Sequence, residues 1–187
     1  MEVIETKLKG AFAIQPKLFH DNRGYFFEWF NAKKFEGETG IHFQPVQFNS
    51  SKSTKGVLRG LHYQEDPACQ TKLVAVTQGI IQDVIVDLRP DSPSYGMYHS
   101  EIISEEKKNQ LFVPKGFAHG FLVLSETAEI FYAIDDFYSP GHENGVMYND
   151  PSLNIDWQME PDQIILSDKD KVYEKMTNRT FQFKYNG

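Results

Sequence analysis

The chain has a single cysteine, Cys69, in 187 residues, so no internal disulfide can staple it. No apolar run approaches the roughly 20 residues that cross a bilayer. The opening residues, Met1-Glu2-Val3-Ile4-Glu5-Thr6-Lys7, lack the basic-then-apolar order of an export signal. These absences predict a cytoplasmic protein that does not engage a membrane. Basic residues are also in deficit, 19 Lys and Arg against 26 Asp and Glu, for a formal net charge of -7. Broad binding to nucleic acid needs a positive field, so it is not expected. An anionic small ligand would instead need a local basic cluster. The chain shows no low-complexity stretch, fixed-period repeat or linker-like shift, so residues 1–187 read as one domain. With 40% hydrophobic and 24% charged residues, that domain is long enough to bury a real core.

What is present is strand periodicity. From Lys72 to Leu88 two runs rich in β-branched residues flank Gly79, which predicts a hairpin. In its second arm Val84, Val86 and Leu88 point one way and Asp83, Ile85 and Asp87 the other. Further strands are expected over residues 57–64, 110–113, 120–124 and 128–134, with turn residues such as Ser139-Pro140-Gly141 and Asn149-Asp150-Pro151 after them. Many short strands imply an all-β antiparallel barrel or sandwich. A little helix is expected, at residues 31–35 and chiefly near the C-terminus, where Ser167-Asp168-Lys169-Asp170 has the form of a capping box.

Several polar residues resist a simple core reading. Arg59 and His62 lie in the strand-like run Arg59-Gly60-Leu61-His62-Tyr63-Gln64, Lys72 opens the next strand, Asp83 interrupts an apolar one, and His119 and Tyr132 sit in two more. A lone histidine in a core is most often a satisfied structural residue. Several ionisable groups on successive strands are different, because burying each unpaired costs several kcal/mol, and together they point to one shared polar cavity. Small barrels hold ligands in such cavities. Arg59 and His62 should face opposite sides of a regular strand, and Gly60 between them marks where a bulge can re-aim one of them.

The stretch Pro114-Lys115-Gly116-Phe117-Ala118-His119 has the Pro-x-Gly-x-x-His spacing of the second cupin motif, so the chain resembles a cupin jelly-roll barrel. Metal-binding cupins carry a second histidine two places after the first, and here Gln64 follows His62, so no metal is expected. A metal-dependent cupin oxygenase or isomerase, with His62 and His119 as ligands, is the competing class, and a non-catalytic sugar-nucleotide binding module is another. More motifs then fall in order. Arg59-Gly60-Leu61-His62-Tyr63-Gln64, Lys72-Leu73-Val74, Asp83-Val84, Val86-Asp87-Leu88-Arg89, residues 114–124 and Asp150-Pro151 are together similar to the dTDP-4-dehydrorhamnose 3,5-epimerase family across nearly the whole chain.

The resemblance implies a homodimeric jelly roll that converts dTDP-4-dehydro-6-deoxy-D-glucose to dTDP-4-dehydro-L-rhamnose without a cofactor. By matching position it makes His62 the general base, Asp170 the carboxylate that orients it, Tyr132 the acid on the opposite face and Lys72 the cation for the enolate oxygen. It assigns Arg23 and Arg59 to the diphosphate, Tyr138 to the thymine ring, and Glu28, Gln47, Asn49, Glu143 and Lys169 to further binding positions, with His119 and Asp83 as a polar pair beside the sugar. Six of them have a plainer reading: a helix cap for Asp170, a core tyrosine for Tyr132, a solvated strand-end lysine for Lys72, and surface charges for Arg23, Lys169 and Glu143. Where the family commonly has Tyr-Lys-Cys-Thr-Asp-Tyr-Tyr this chain has Tyr132-Ala133-Ile134-Asp135-Asp136-Phe137-Tyr138, and Gln158 follows Trp157 where Pro is usual. A 3- or 5-monoepimerase acting on a related nucleotide sugar is therefore the nearest alternative.

Overall fold

Two antiparallel sheets face one another in the computed structural model, which describes residues 1–185. In chain order the elements are β1 (Glu2–Glu5), β2 (Phe12–Gln15), β3 (Phe19–Asp21), β4 (Gly24–Phe26), helix α1 (Ala32–Thr39), β5 (Gln47–Thr54), β6 (Leu58–Gln64), β7 (Lys72–Gln78), β8 (Ile80–Asp87), β9 (Tyr98–Ser104), β10 (Gln110–Val113), β11 (Phe117–Val123), β12 (Thr127–Ile134) and β13 (Glu143–Gly145). One sheet has the order β1-β2-β10-β7-β12-β5 and the other β13-β6-β11-β8-β9, while β3 and β4 form a separate ribbon. The architecture is the expected all-β jelly roll.

Alternate residues of each strand turn toward the opposite sheet. Val74 and Val76 of β7, Ile130 of β12, Ile81 and Ile85 of β8, and Phe117 and Phe121 of β11 meet there in one buried cluster. The outward rows are covered in part, that of β8 fully and that of the six-stranded sheet at one end. Val84, Val86 and Leu88 lie under Met176, Phe181 and Phe183 of the C-terminal segment, and Leu73 and Phe112 under Phe35 of α1 and Phe43. With both faces covered, every residue of β8 except Ile80 is buried. Its two aspartates must then be paired, and Asp87 accepts hydrogen bonds from Arg89 Nη2 at 2.7 Å, Ser92 Oγ at 2.5 Å and Ser94 Oγ at 2.7 Å.

Two expectations need correction. The runs flanking Gly79 are strands, β7 and β8, yet they do not form a hairpin, because they belong to different sheets. Gly79 (φ +83) turns the corner between sheets, where a Cβ would lie 2.2 Å from the Thr127 carbonyl oxygen. The apolar rows of both arms thereby bury against each other across the core, which edge-to-edge pairing would leave for another element to cover. Ser167 opens a turn and not a helix. Its Oγ accepts from Asp170 N at 3.2 Å, but the Asp170 carboxylate is drawn to His62 and to Ser167 Oγ instead of capping a backbone N–H. The one α-helix among the described residues is α1, where Asn31 Oδ1 accepts from Lys34 N at 3.1 Å and Gly40 closes the C-terminus in the left-handed region. The C-terminal part contributes only 3₁₀ turns, Pro161–Gln163 and Met176–Asn178.

Candidate active site

The site begins with a glycine. Opposite β6 on β11, His119 pairs with His62 and Phe121 with Arg59, so Gly60 and Leu61 together face the single residue Gly120. This bulge resolves the parity problem and lets Arg59 and His62 face the same way. Gly60 sits at φ +139, and a Cβ on it would lie 2.4 Å from Gly120 Cα. No other residue fits there.

Between the sheets, bounded on one side by Phe121 of the apolar cluster, lies a cavity of about 680 Å³. β6 contributes Arg59 and His62, β11 His119, β7 Lys72, β12 Tyr132 and β5 Gln47 and Asn49, while Tyr138, Glu143, Lys169 and Asp170 close the mouth. The sheets divide the chemistry. His62 belongs to the five-stranded sheet, and Lys72 and Tyr132 to the facing six-stranded sheet, where Lys72 pairs with Ile134 and Val74 with Tyr132.

His62 Nε2 and Asp170 Oδ1 lie 2.5 Å apart, and Asp170 Oδ2 accepts from Ser167 Oγ at 2.8 Å. Burial pushes the Asp170 carboxyl up, but His62 and Ser167 outweigh it and hold it below the usual carboxylate range. The carboxylate fixes one ring nitrogen, and Nδ1 has no partner among the described residues. His119 Nε2 pairs with Asp83 Oδ1 at 2.6 Å, which places fully buried Asp83 behind His119 and not on the cavity wall. Burial pulls the Lys72 ammonium down to about 8, with Asp83 and Glu143 acting in the opposite sense. Burial pushes the Tyr132 phenol up, so it carries its proton at neutral pH. At the mouth Glu143 accepts from Lys169 Nζ at 2.6 Å and from Tyr138 Oη at 2.8 Å. Arg59 reaches across to β5, donating to Ser53 Oγ at 3.1 Å.

Three of the expected residues do not line the cavity: Asp83 sits behind His119, and the other two are farther off. Arg23, at the tip of the β3–β4 ribbon, is 85% exposed and paired with Asp21, and Glu28 is paired with Lys34 beside α1. Neither lines this chain's cavity. Ser51, Gln70 and Ser167 do line it and escaped the sequence reading. Ser51 was recoverable, since it continues the alternate row of Gln47 and Asn49. Among the described residues no group of three or more His, Cys, Asp or Glu side chains is placed to hold a metal ion.

A jelly-roll cavity with a carboxylate-bound imidazole on one wall and a partly buried ammonium and phenol on the other defines an acid–base site for a small ligand with removable C–H protons. Comparison with known proteins narrows the class. The family model described as dTDP-4-dehydrorhamnose 3,5-epimerase matches residues 5–178, and the chain belongs to that family. A relative of that name from Shigella flexneri is 48% identical over 97% of this chain and 99% of its own. The crystal structure of the dTDP-4-dehydrorhamnose 3,5-epimerase from Elizabethkingia anophelis NUHP1 superposes with a TM-score of 0.94 at 45% identity, covering 97% and 99% of the two chains. That of the dTDP-6-deoxy-D-glucose-3,5-epimerase from Legionella pneumophila Philadelphia 1, in complex with dTDP-4-keto-L-rhamnose, does so with a TM-score of 0.89 at 45% identity, covering 94% and 93%.

Proposed function

We propose that the chain epimerises carbons 3 and 5 of dTDP-4-dehydro-6-deoxy-D-glucose to give dTDP-4-dehydro-L-rhamnose, by acid–base chemistry that needs no cofactor or metal. The observation that carries this reading is the His62–Asp170 pair on one sheet with Lys72 and Tyr132 on the other, facing one cavity. His62 Nδ1 takes a proton from the carbon next to the ketone, and the electron pair moves to the ketone oxygen as an enolate. Lys72 stabilises that oxygen, and Tyr132 returns a proton from the opposite wall, inverting the carbon. A positioned base supplies roughly 10²–10⁴-fold, and one charge-stabilising donor roughly 10²–10³-fold. Arg59 suits the diphosphate and Tyr138, at the mouth, the thymine ring, with Gln47, Asn49, Glu143 and Lys169 around them.

The remaining positions fit a homodimer, which we propose works in the cytoplasm. Arg23 and Glu28 lie away from their own cavity, on and beside a projecting ribbon. The outer face of the six-stranded sheet holds an apolar recess of about 400 Å³ lined by residues including Trp29, Phe48 and Phe131. A second copy seated on that face would cover the recess and carry Arg23 and Glu28 toward its partner's site. Mixing Arg23→Ala with His62→Ala protein should then restore part of the activity that each lacks alone; no restoration in a stable mixed dimer would place Arg23 outside the site.

The reaction itself is tested by proton NMR in deuterium oxide. Deuterium at carbons 3 and 5 with both configurations inverted is the result expected, because the proton that returns comes from Tyr132, whose hydroxyl exchanges with solvent, and not from the base that took the original one. Label at one carbon would make the chain a monoepimerase. Of residues 133–137, only Ile134 lines the cavity, which makes it the residue to examine in that case. No label in substrate-bound protein would reject the reading in favour of a binding module.

A further inference from the structure

Asp170 holds the His62 ring at one atom. A single hydrogen bond fixes a distance but leaves the ring free to swing about it. A second contact is present. The Tyr173 ring meets His62 edge to face, centroids 5.7 Å apart and planes at 68°. Tyr173 comes from the same C-terminal segment as Ser167, Lys169 and Asp170, and it is absent from the cavity lining, so it backs the histidine without reaching a ligand.

Its seat is made by Gly145, which lies directly across from His62 in the β13–β6 pairing. The Gly145 backbone is not in the left-handed region, so flexibility does not explain the residue. A Cβ there would lie 2.5 Å from Tyr173 Cε2 and 2.6 Å from Cζ, too close for the ring to stay where it is. The Tyr173 hydroxyl is buried with no partner in hydrogen-bond geometry. Lys169 is the charged group beside it, but a buried hydroxyl without a well-formed bond is a cost, so the ring is what this position uses.

We infer that Tyr173, seated in the slot Gly145 leaves open, is a positioning residue that holds the His62 imidazole in the orientation in which Asp170 binds one nitrogen and the other faces the cavity. The inference rests on the reading of His62 as base. Four variants test it together: Tyr173→Ala, Tyr173→Phe, Gly145→Ala and His62→Ala, each assayed for kcat and KM, with nitrogen-15 NMR of the histidine side chains. Misplacing a catalytic group costs up to roughly 100-fold, so Tyr173→Ala and Gly145→Ala should lower kcat about 10- to 100-fold with KM within about twofold. Tyr173→Phe should keep nearly normal turnover. In wild type and Tyr173→Phe the His62 signals should be those of one tautomer, and in the other two positional variants those of an averaging ring.

Three results would each overturn the inference while leaving His62 as base: normal kcat in Tyr173→Ala beside an inactive His62→Ala, equal impairment in Tyr173→Phe and Tyr173→Ala, or lost turnover with the His62 signals unchanged. Should Tyr173→Ala fail to fold, Gly145→Ala carries the same two measurements. Normal turnover in His62→Ala would remove the base itself, and the inference with it.

Discussion

At Lys72 burial and neighbouring charge oppose each other, and burial prevails. Its ammonium is intact well below the value of about 8 to which burial brings it and is lost as the pH rises through that value. We therefore predict an alkaline limb in kcat/KM near pH 8, absent from the residual activity of Lys72→Ala. Asp83→Asn removes one of the charges that support the ammonium, so it should move that limb to lower pH. Stability runs the other way. Between about 8 and the ordinary value of 10.5 the unfolded chain keeps a proton that the folded one has released, so folding is favoured as pH rises across that window. Single residues were legible from sequence when their chemistry clashed with their neighbourhood. A lysine, two histidines and an aspartate in apolar strands demanded a cavity, whereas Ser51 and Ser167 are inexpensive almost anywhere and gave no such signal. Arg23 and Glu28 could be named only through the family resemblance, and their own chain does not bring them to the site.

Among the elements, β6 depends on one glycine. Gly60→Ala would press a Cβ against Gly120 and force a side chain into a conformation it rarely adopts, costing roughly 2–3 kcal/mol or more. Urea unfolding should register that loss, and kcat should fall further than stability explains, because the bulge sets the direction of His62. The bulge was foreseeable from the conflict between Arg59 and His62 on a period of two. The Gly79 corner was not, because a turn glycine between two β-branched runs reads the same whether the strands pair side by side or face each other. The C-terminal turn misled for a related reason: Ser167 and Asp170 have capping spacing, but the carboxylate finds a stronger partner 108 residues away. At the other face of the five-stranded sheet, Phe181→Ala should cost roughly 3 kcal/mol by opening a cavity over Val84 and Val86, measurable by the same unfolding experiment.

For the molecule as a whole, acid is the expected weak side. Asp87 is completely buried, and although burial pushes its carboxyl up, Arg89, Ser92 and Ser94 hold it below its ordinary value of 3.8. Its contribution is present above that value and disappears as the pH falls through the lower folded one, so unfolding should steepen below about pH 4. Asp87→Asn would leave Arg89 as an unpaired buried charge, costing roughly 3–5 kcal/mol at neutral pH and flattening the acid dependence. The segment that ends the described chain performs two tasks at once. Ser167, Lys169, Asp170 and Tyr173 complete the histidine site, and Met176, Phe181 and Phe183 seal the outer face of the sheet that carries it. A copy whose synthesis stops before this stretch would therefore have neither its base in place nor its sheet covered. Competence and protection from proteolysis arrive together, so an unfinished molecule marks itself for removal instead of occupying substrate.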